Sequence, residues 1–161
     1  MEIIKFPNPK LFEVCRPVTV FGEELKILLD SMWDTMKASN GMGLAANQVG
    51  LIFRMFVMEG NEGERINLIN PEVIKQSVAI SPLKEGCLSA PGEMIVTGSR
   101  AEWVQVRYYD ENGNYRNKVF TGIHSVCIQH EIDHLDGKTF LEIATIPKAK
   151  RRELAKKWGL K

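Results

Sequence analysis

Cysteine is scarce in this chain, and its number is odd: Cys15, Cys87 and Cys127 are the whole set. Three widely spaced cysteines exclude a disulfide framework and fit a reducing compartment. Charge of one sign is lacking as well. With 21 Lys and Arg against 20 Asp and Glu, the net charge is +1, so no overall field would gather nucleic acid or anionic membrane. No apolar run approaches the ~20 residues of a membrane span. The opening residues Met1-Glu2-Ile3-Ile4-Lys5-Phe6-Pro7 have neither the apolar core and cleavage site of a signal peptide nor the Arg- and Ser-rich character of a transit peptide. These absences point to a cytoplasmic protein with no membrane role and no sequence-specific nucleic-acid binding. There is no internal repeat, no low-complexity tract and no Gly-, Pro- or Ser-rich linker, so residues 1–161 are expected to form one domain. The hydrophobic share of 44% is enough to give such a domain a core.

Helical and extended patterns then alternate along the chain. Pro7, Pro9 and Pro17 predict a looping start. Leu25, Leu28, Leu29, Met32, Trp33 and Met36 recur at helical spacing and predict a helix over 23–37, ended by Ser39-Asn40-Gly41. Gly41 to Gly50 reads as a small-residue turn with no strand leading into it. Strands are predicted over 53–58, 66–69, 73–79, 94–97, 103–109 and 115–120, with Asn70-Pro71 separating the second from the third and a hairpin turn over 110–114. Between Ser81 and Gly92 the reading is a loop. A second helix starts at Thr121 or Gly122 and stops near Gly137, with Ile123, Val126, Cys127, His130, Glu131 and His134 on its inward face. Pro147 opens a last, basic helix with Leu154, Ala155 and Trp158 as docking contacts.

The second helix carries the chemistry. Gln129-His130-Glu131-Ile132-Asp133-His134-Leu135 contains H-E-x-x-H, which sets two imidazoles four residues apart on one helix face. His130 and His134 can thus share a metal ion, with Glu131 beside them to move a proton. A catalytic site of this type normally takes a third protein ligand and keeps one position open. No histidine follows His134, and Glu142 and Glu153 have no supporting context. Cys87, in a glycine-flanked loop, is the best third candidate, and a thiolate suits Zn(II) or Fe(II). A closed four-ligand zinc site would require Cys127 or His124 to turn in. His124, six positions before His130, reads instead as a surface or capping residue. Metallopeptidase activity and a non-catalytic zinc module are the rival readings.

Three stretches together resemble the peptide deformylase family: Gly41-Met42-Gly43-Leu44-Ala45-Ala46-Asn47-Gln48, Glu85-Gly86-Cys87-Leu88-Ser89 and Gln129 to Leu135. The start, Pro7-Asn8-Pro9-Lys10-Leu11 followed by Arg16-Pro17-Val18, is also similar to the family. Asn47 and Ala90 depart from it, since Pro or Thr and a larger aliphatic are usual there. The resemblance implies an α+β fold, with antiparallel strands packed around a central helix carrying H-E-x-x-H, an N-terminal helix and a C-terminal helix of the bacterial class. It implies that Cys87, His130 and His134 bind one divalent metal ion, natively Fe(II), with Zn, Ni or Co able to replace it in purified protein. Glu131 would be the acid/base, and Gln48 with the Leu88 N–H the oxyanion hole. Met42, Ile123, Val126 and Cys127 would line the methionine pocket, while backbone around Met42, Gly43 and Gly86 holds the peptide. The implied reaction removes the formyl group from N-formylmethionyl peptides, and the basic last helix could dock on the ribosome.

Overall fold

The computed structural model describes residues 1–160; Lys161, the last residue of the expected domain, lies outside the described residues. In chain order the regular elements are α1 (Glu23–Ala38), β1 (Gly43–Ala45), β2 (Met55–Glu59), β3 (Arg65–Gln76), β4 (Glu85–Cys87), β5 (Ala90–Ile95), β6 (Trp103–Tyr109), β7 (Tyr115–Thr121), α2 (Gly122–Leu135), α3 (Phe140–Ile143) and α4 (Lys148–Lys157). The fold is α+β, as expected. Five strands form one antiparallel sheet in the order β1-β2-β3-β6-β7, and β4-β5 is a separate hairpin.

Periodicity explains the layering. Leu25, Leu29, Met32 and Met36 recur every three or four residues and are buried along one face of α1. Glu23 and Glu24 in its first turn and Lys37 in its last suit the helix dipole. Strand β2 alternates between two cores. Met55 and Val57 join the cluster with Leu29 and Met32 of α1, whereas Phe56 and Met58 join the cluster with Ile128 and Leu135 of α2. The β2 region is therefore sandwiched between two helices, which is why it reads as an unbroken apolar run. A third cluster packs the β4–β5 hairpin, through Cys87, Ala90 and Ile95, against Phe140, Leu141, Leu154 and Trp158. Leu154 and Trp158 thus anchor α4 as expected, with Ala155 half-buried beside them.

The structure corrects several boundaries. The two strands read over 66–69 and 73–79 are one strand, β3, which ends at Gln76. Asn70, at φ 51°, and Pro71 shift its register against β6 without ending it. The Asn70 amide exchanges two hydrogen bonds of 2.8 Å with the backbone of Val18, which fixes this irregularity. Gly43–Ala45, read as part of a turn, is a short edge strand that continues into a 3₁₀ turn over Ala46–Val49. The loop read over 81–92 contains β4, so Cys87 stands at the end of a strand. The strand read over 94–97 starts earlier, at Ala90. Helix α3 was not expected; four residues are too few to show a period. Among the described residues, no helix is long and apolar enough to cross a membrane.

Phe56 has no exposed surface, pairs with Leu68 and Ala45 across its two neighbouring strands, and lies in the cluster against α2. Phe56→Ala is expected to lower the unfolding free energy in urea by about 3–5 kcal/mol; a loss below about 1 kcal/mol would mean that this core relaxes around the missing ring.

Candidate metal centre and active site

Helix α2 lies against the sheet with its His130–His134 edge turned toward the β4–β5 hairpin. His130 and His134 sit one turn apart with ring centroids 4.9 Å from each other. The Cys87 Sγ lies 3.1 Å from His134 Nε2, and one ligand atom from each of Cys87, His130 and His134 falls within 4.8 Å of the others. All three residues are buried. Cys87 and His130, 43 positions apart in the chain and on two different elements, thus converge on one point.

A buried scaffold orients the first imidazole. His130 Nδ1 lies 2.7 Å from Glu85 Oε2, which leaves Nε2 free to face the cluster. Glu85 in turn accepts from Thr97 Oγ1 and from Arg100 Nε and the second Arg100 guanidinium nitrogen, each at 2.7 Å, and Arg100 also reaches Asp133 Oδ2 at 2.5 Å. Arg100 and Glu85 are both 4% exposed at their side chains. Burial alone would raise the Glu85 pKa; hydrogen bonds from His130 and Arg100 outweigh it and hold the carboxyl at about 2. Cys87 behaves likewise. Burial favours its thiol, but His134 and His130 beside it bring its pKa well below the ordinary value. The thiolate and two imidazoles make a donor set of one sulfur and two nitrogens, which fits a single divalent transition-metal ion.

Glu131 points into the same space. Its Oε2 is buried and has no hydrogen-bond partner among the described residues. Burial raises its pKa above that of a free carboxyl, toward the range in which a group both accepts and returns a proton. Gly43 makes this position available: a Cβ there would come within 2.5 Å of Glu131 Oε1 and 2.7 Å of Cys127 Sγ. Gln48, 1% exposed, has a fixed amide. Its Oε1 accepts from Ala45 N at 2.9 Å, so Nε2 faces Ser89 Oγ at 3.1 Å and Cys87 Sγ at 3.7 Å. Leu88 and Ser89 form the turn between β4 and β5.

These groups surround a cavity of about 590 Å³ lined by Met42, Gly43, Gln48, Gly86, Leu88, Ile123, Val126, Cys127 and Glu131, among others. Every residue singled out from the sequence as a site residue is at this cavity or, like His134, at the cluster beside it. Ile123 differs from expectation in one respect: it is 41% exposed, at the cavity mouth and not on a buried face. Cys127 and His124 do not join the cluster among the described residues. Burial pushes the Cys127 thiol well above its usual pKa, so it stays a neutral wall of the cavity, and His124 is half-buried on the first turn of α2. Glu142 instead caps α3 through Thr139, and Glu153 pairs with Lys150.

Sequence reasoning missed the Glu85–Arg100–Asp133 scaffold. Glu85 opens the Glu85–Ser89 stretch, two residues before Cys87, and that adjacency is a usable signal. Nothing near Arg100 in the chain announces it. Asn47 was noticed only as a departure. It is fully buried, and its amide donates to the carbonyl oxygens of His134, at 2.5 Å, and Leu11, at 3.3 Å. The unusual side chain thereby ties the Gln48 turn to the end of α2.

The antiparallel sheet, the helix bearing H-E-x-x-H and the Cys-His-His cluster beside a buried glutamate define a metal-dependent hydrolase of the mononuclear type. A family model for polypeptide deformylases matches residues 1–150. A peptide deformylase from Alkalilimnicola ehrlichii is 41% identical over 154 residues, covering 94% of this chain and 85% of that protein. A peptide deformylase-like protein from Agrobacterium fabrum is 38% identical over 156 residues, covering 97% and 93%. The peptide deformylase crystal structure from Plasmodium falciparum superposes with a TM-score of 0.90 at 36% identity, covering 98% of this chain and 94% of the other. The chain belongs to the peptide deformylase family, hydrolases that use a single catalytic metal to remove the N-formyl group from newly made polypeptides.

The scaffold gives a stability test. Arg100→Leu leaves the Glu85 carboxylate buried without its cation, so the unfolding free energy is expected to fall by about 3–5 kcal/mol at neutral pH. Urea titration measures this, and a change near zero would show that Arg100 is not what keeps Glu85 charged.

Proposed function

We propose that Cys87, His130 and His134 hold the catalytic metal and that Glu131 is the acid/base of deformylation. The observation that carries this reading is the convergence of one sulfur and two nitrogens within 4.8 Å, beside a buried carboxylate oxygen with no partner among the described residues. A divalent ion held by these three residues would supply Lewis acidity and make water a better nucleophile near neutral pH. Glu131 accepts a proton from the attacking water and returns it to the departing amine of methionine. Negative charge collects on the formyl oxygen as its carbon becomes tetrahedral. Gln48 Nε2, pinned by the Ala45 N–H on its own oxygen, and the Leu88 N–H donate to that oxygen. Fe(II) is the native ion in this reading, with Zn, Ni or Co as replacements, since the sulfur–nitrogen donor set accommodates each of them.

The substrate enters as an added strand. β1 and β4 are both at sheet edges, and residues of both line the cavity. Backbone around Met42, Gly43 and Gly86 pairs with the peptide, while Met42, Ile123, Val126 and Cys127 receive the methionine side chain. Main-chain recognition with a single apolar pocket lets one enzyme, acting as a single domain in the cytoplasm, process many different nascent chains.

The ribosome is the proposed partner of α4. Lys148, Arg152 and Lys156 are exposed and spaced four apart, so they share one face. Their neighbours are occupied: Lys150 pairs with Glu153, Lys157 with Glu93, and Arg151 donates to the carbonyl oxygens of Glu142 and Ala144. Three cations in a row with no ion-pair partner among the described residues suit a phosphate backbone without base recognition.

Two measurements test these assignments. Glu131→Ala is expected to retain its metal by elemental analysis while formate release from formyl-methionyl peptides falls by at least about 100-fold, the lower end for a lost acid/base group; near-normal turnover would remove Glu131 from that role. Changing Arg152 and Lys156 together to Glu is expected to abolish co-sedimentation with ribosomes at low salt without altering peptide deformylation. Unchanged co-sedimentation, or binding insensitive to salt, would assign docking elsewhere.

A further inference from the structure

The mouth of the cavity carries charge that deformylation itself does not use. Lys5 and Lys84 both line it, and both are exposed. Lys5 Nζ donates to the Leu88 carbonyl oxygen at 2.5 Å and has no acidic partner among the described residues. Lys84 has no ion-pair partner among the described residues. The one acidic residue on the outer wall, Glu93, is already neutralised by Lys157 at 2.7 Å. The other two carboxylates of the cavity, Glu85 and Glu131, are buried in its floor, and Glu85 is committed to Arg100 and His130. A peptide leaving the metal centre therefore passes two cations at the cavity mouth, where no unpaired carboxylate lies among the described residues.

Strand direction says where along the peptide this matters. Beyond Cys87 the chain turns through Leu88 and Ser89 into β5. An extended peptide pairing with β4 can leave the cluster in one direction only, back along the strand toward Lys84. Lys84 is three positions before Cys87, a distance of about 10 Å at ~3.3 Å per residue. The third residue of a formylated peptide, counted from methionine, lies about as far from its formyl carbon when extended.

We propose that this chain selects formyl-methionyl peptides carrying an acidic side chain at the second or third residue, with Lys84 as a specificity-determining cation and Lys5 reinforcing it. The inference rests on the deformylase reading and on strand addition to β4. Both lysines are solvated, so the preference is modest and salt-sensitive: about two- to fivefold per charge step, the size expected of exposed ion pairs.

The test uses the metal-loaded, full-length protein and formyl-Met-X-Y-Ala peptides with amidated C-termini, so that the peptide's own carboxylate does not compete. Asp, Asn and Lys are placed in turn at X and at Y. Formate release is followed at about 20 mM and about 300 mM salt, which bracket the ~10 Å screening length of 0.1 M salt. The expected result at low salt is kcat/KM in the order Asp, Asn, Lys at one of the two positions, compressed at high salt and reversed by Lys84→Glu. Equal values for all three side chains at both positions would overturn the proposal, as would an order that persists in Lys84→Glu. The neutral Asn peptides separate the two levels of failure. Turnover of Asn peptides without charge preference sinks only this inference, whereas formate release from none of the peptides would sink the deformylase reading and this inference with it.

Discussion

The ion pair between Arg100 and Glu85 holds the proposed metal centre in place. Two charged groups this deep are costly to desolvate, and they persist because every oxygen of Glu85 is used: Arg100 and Thr97 on one, Arg100 and His130 on the other. The same carboxylate fixes the His130 ring, and Asp133, one turn below it on α2, grips the other end of Arg100. The network therefore couples three separate pieces: the strand that carries Cys87, the segment before β6, and the helix that carries both histidines. The proposed ligand set, drawn from distant parts of the chain, needs such a lock, because a small displacement of α2 against β4 would separate sulfur from imidazole.

Around that lock the fold divides its labour. The two cores on either face of β2 hold α1 and α2 to the sheet, and the third core, built from the hairpin and the C-terminal helices, holds Cys87. The cavity opens where the sheet and the hairpin meet, with a free strand edge on each side. Two strands that each lack a second neighbouring strand among the described residues suit an extended peptide, and the floor between them concentrates the ionisable groups. Gly43 lets the β1 backbone pass close to Glu131, so the proposed acid/base is shielded on one side without being displaced.

Much of this was legible in the sequence, for identifiable reasons. H-E-x-x-H fixes its own geometry once the segment is helical, so His130, Glu131 and His134 needed no tertiary information. Cys87 is the best remaining third ligand in the sequence, and the family resemblance adds Gly86 and Leu88 beside it. The α1 face and the β6–β7 hairpin followed from plain periodicity. What stayed hidden depends on contacts between remote residues. Arg100 looks like an ordinary surface cation until the fold buries it. Asn70-Pro71 looks like a strand break until the Val18 backbone is seen to hold it. β1, α3 and β4 span four residues or fewer, and packing decides them. Asn47 departed from the family pattern, but only the structure shows what its amide grips.

X-ray absorption at the metal edge of anaerobically purified protein tests the central assignment most directly. The account predicts one sulfur and two nitrogen donors from Cys87, His130 and His134, with lighter oxygen scattering from an exchangeable position. A first shell without sulfur, or one closed by a second sulfur from Cys127, would contradict it.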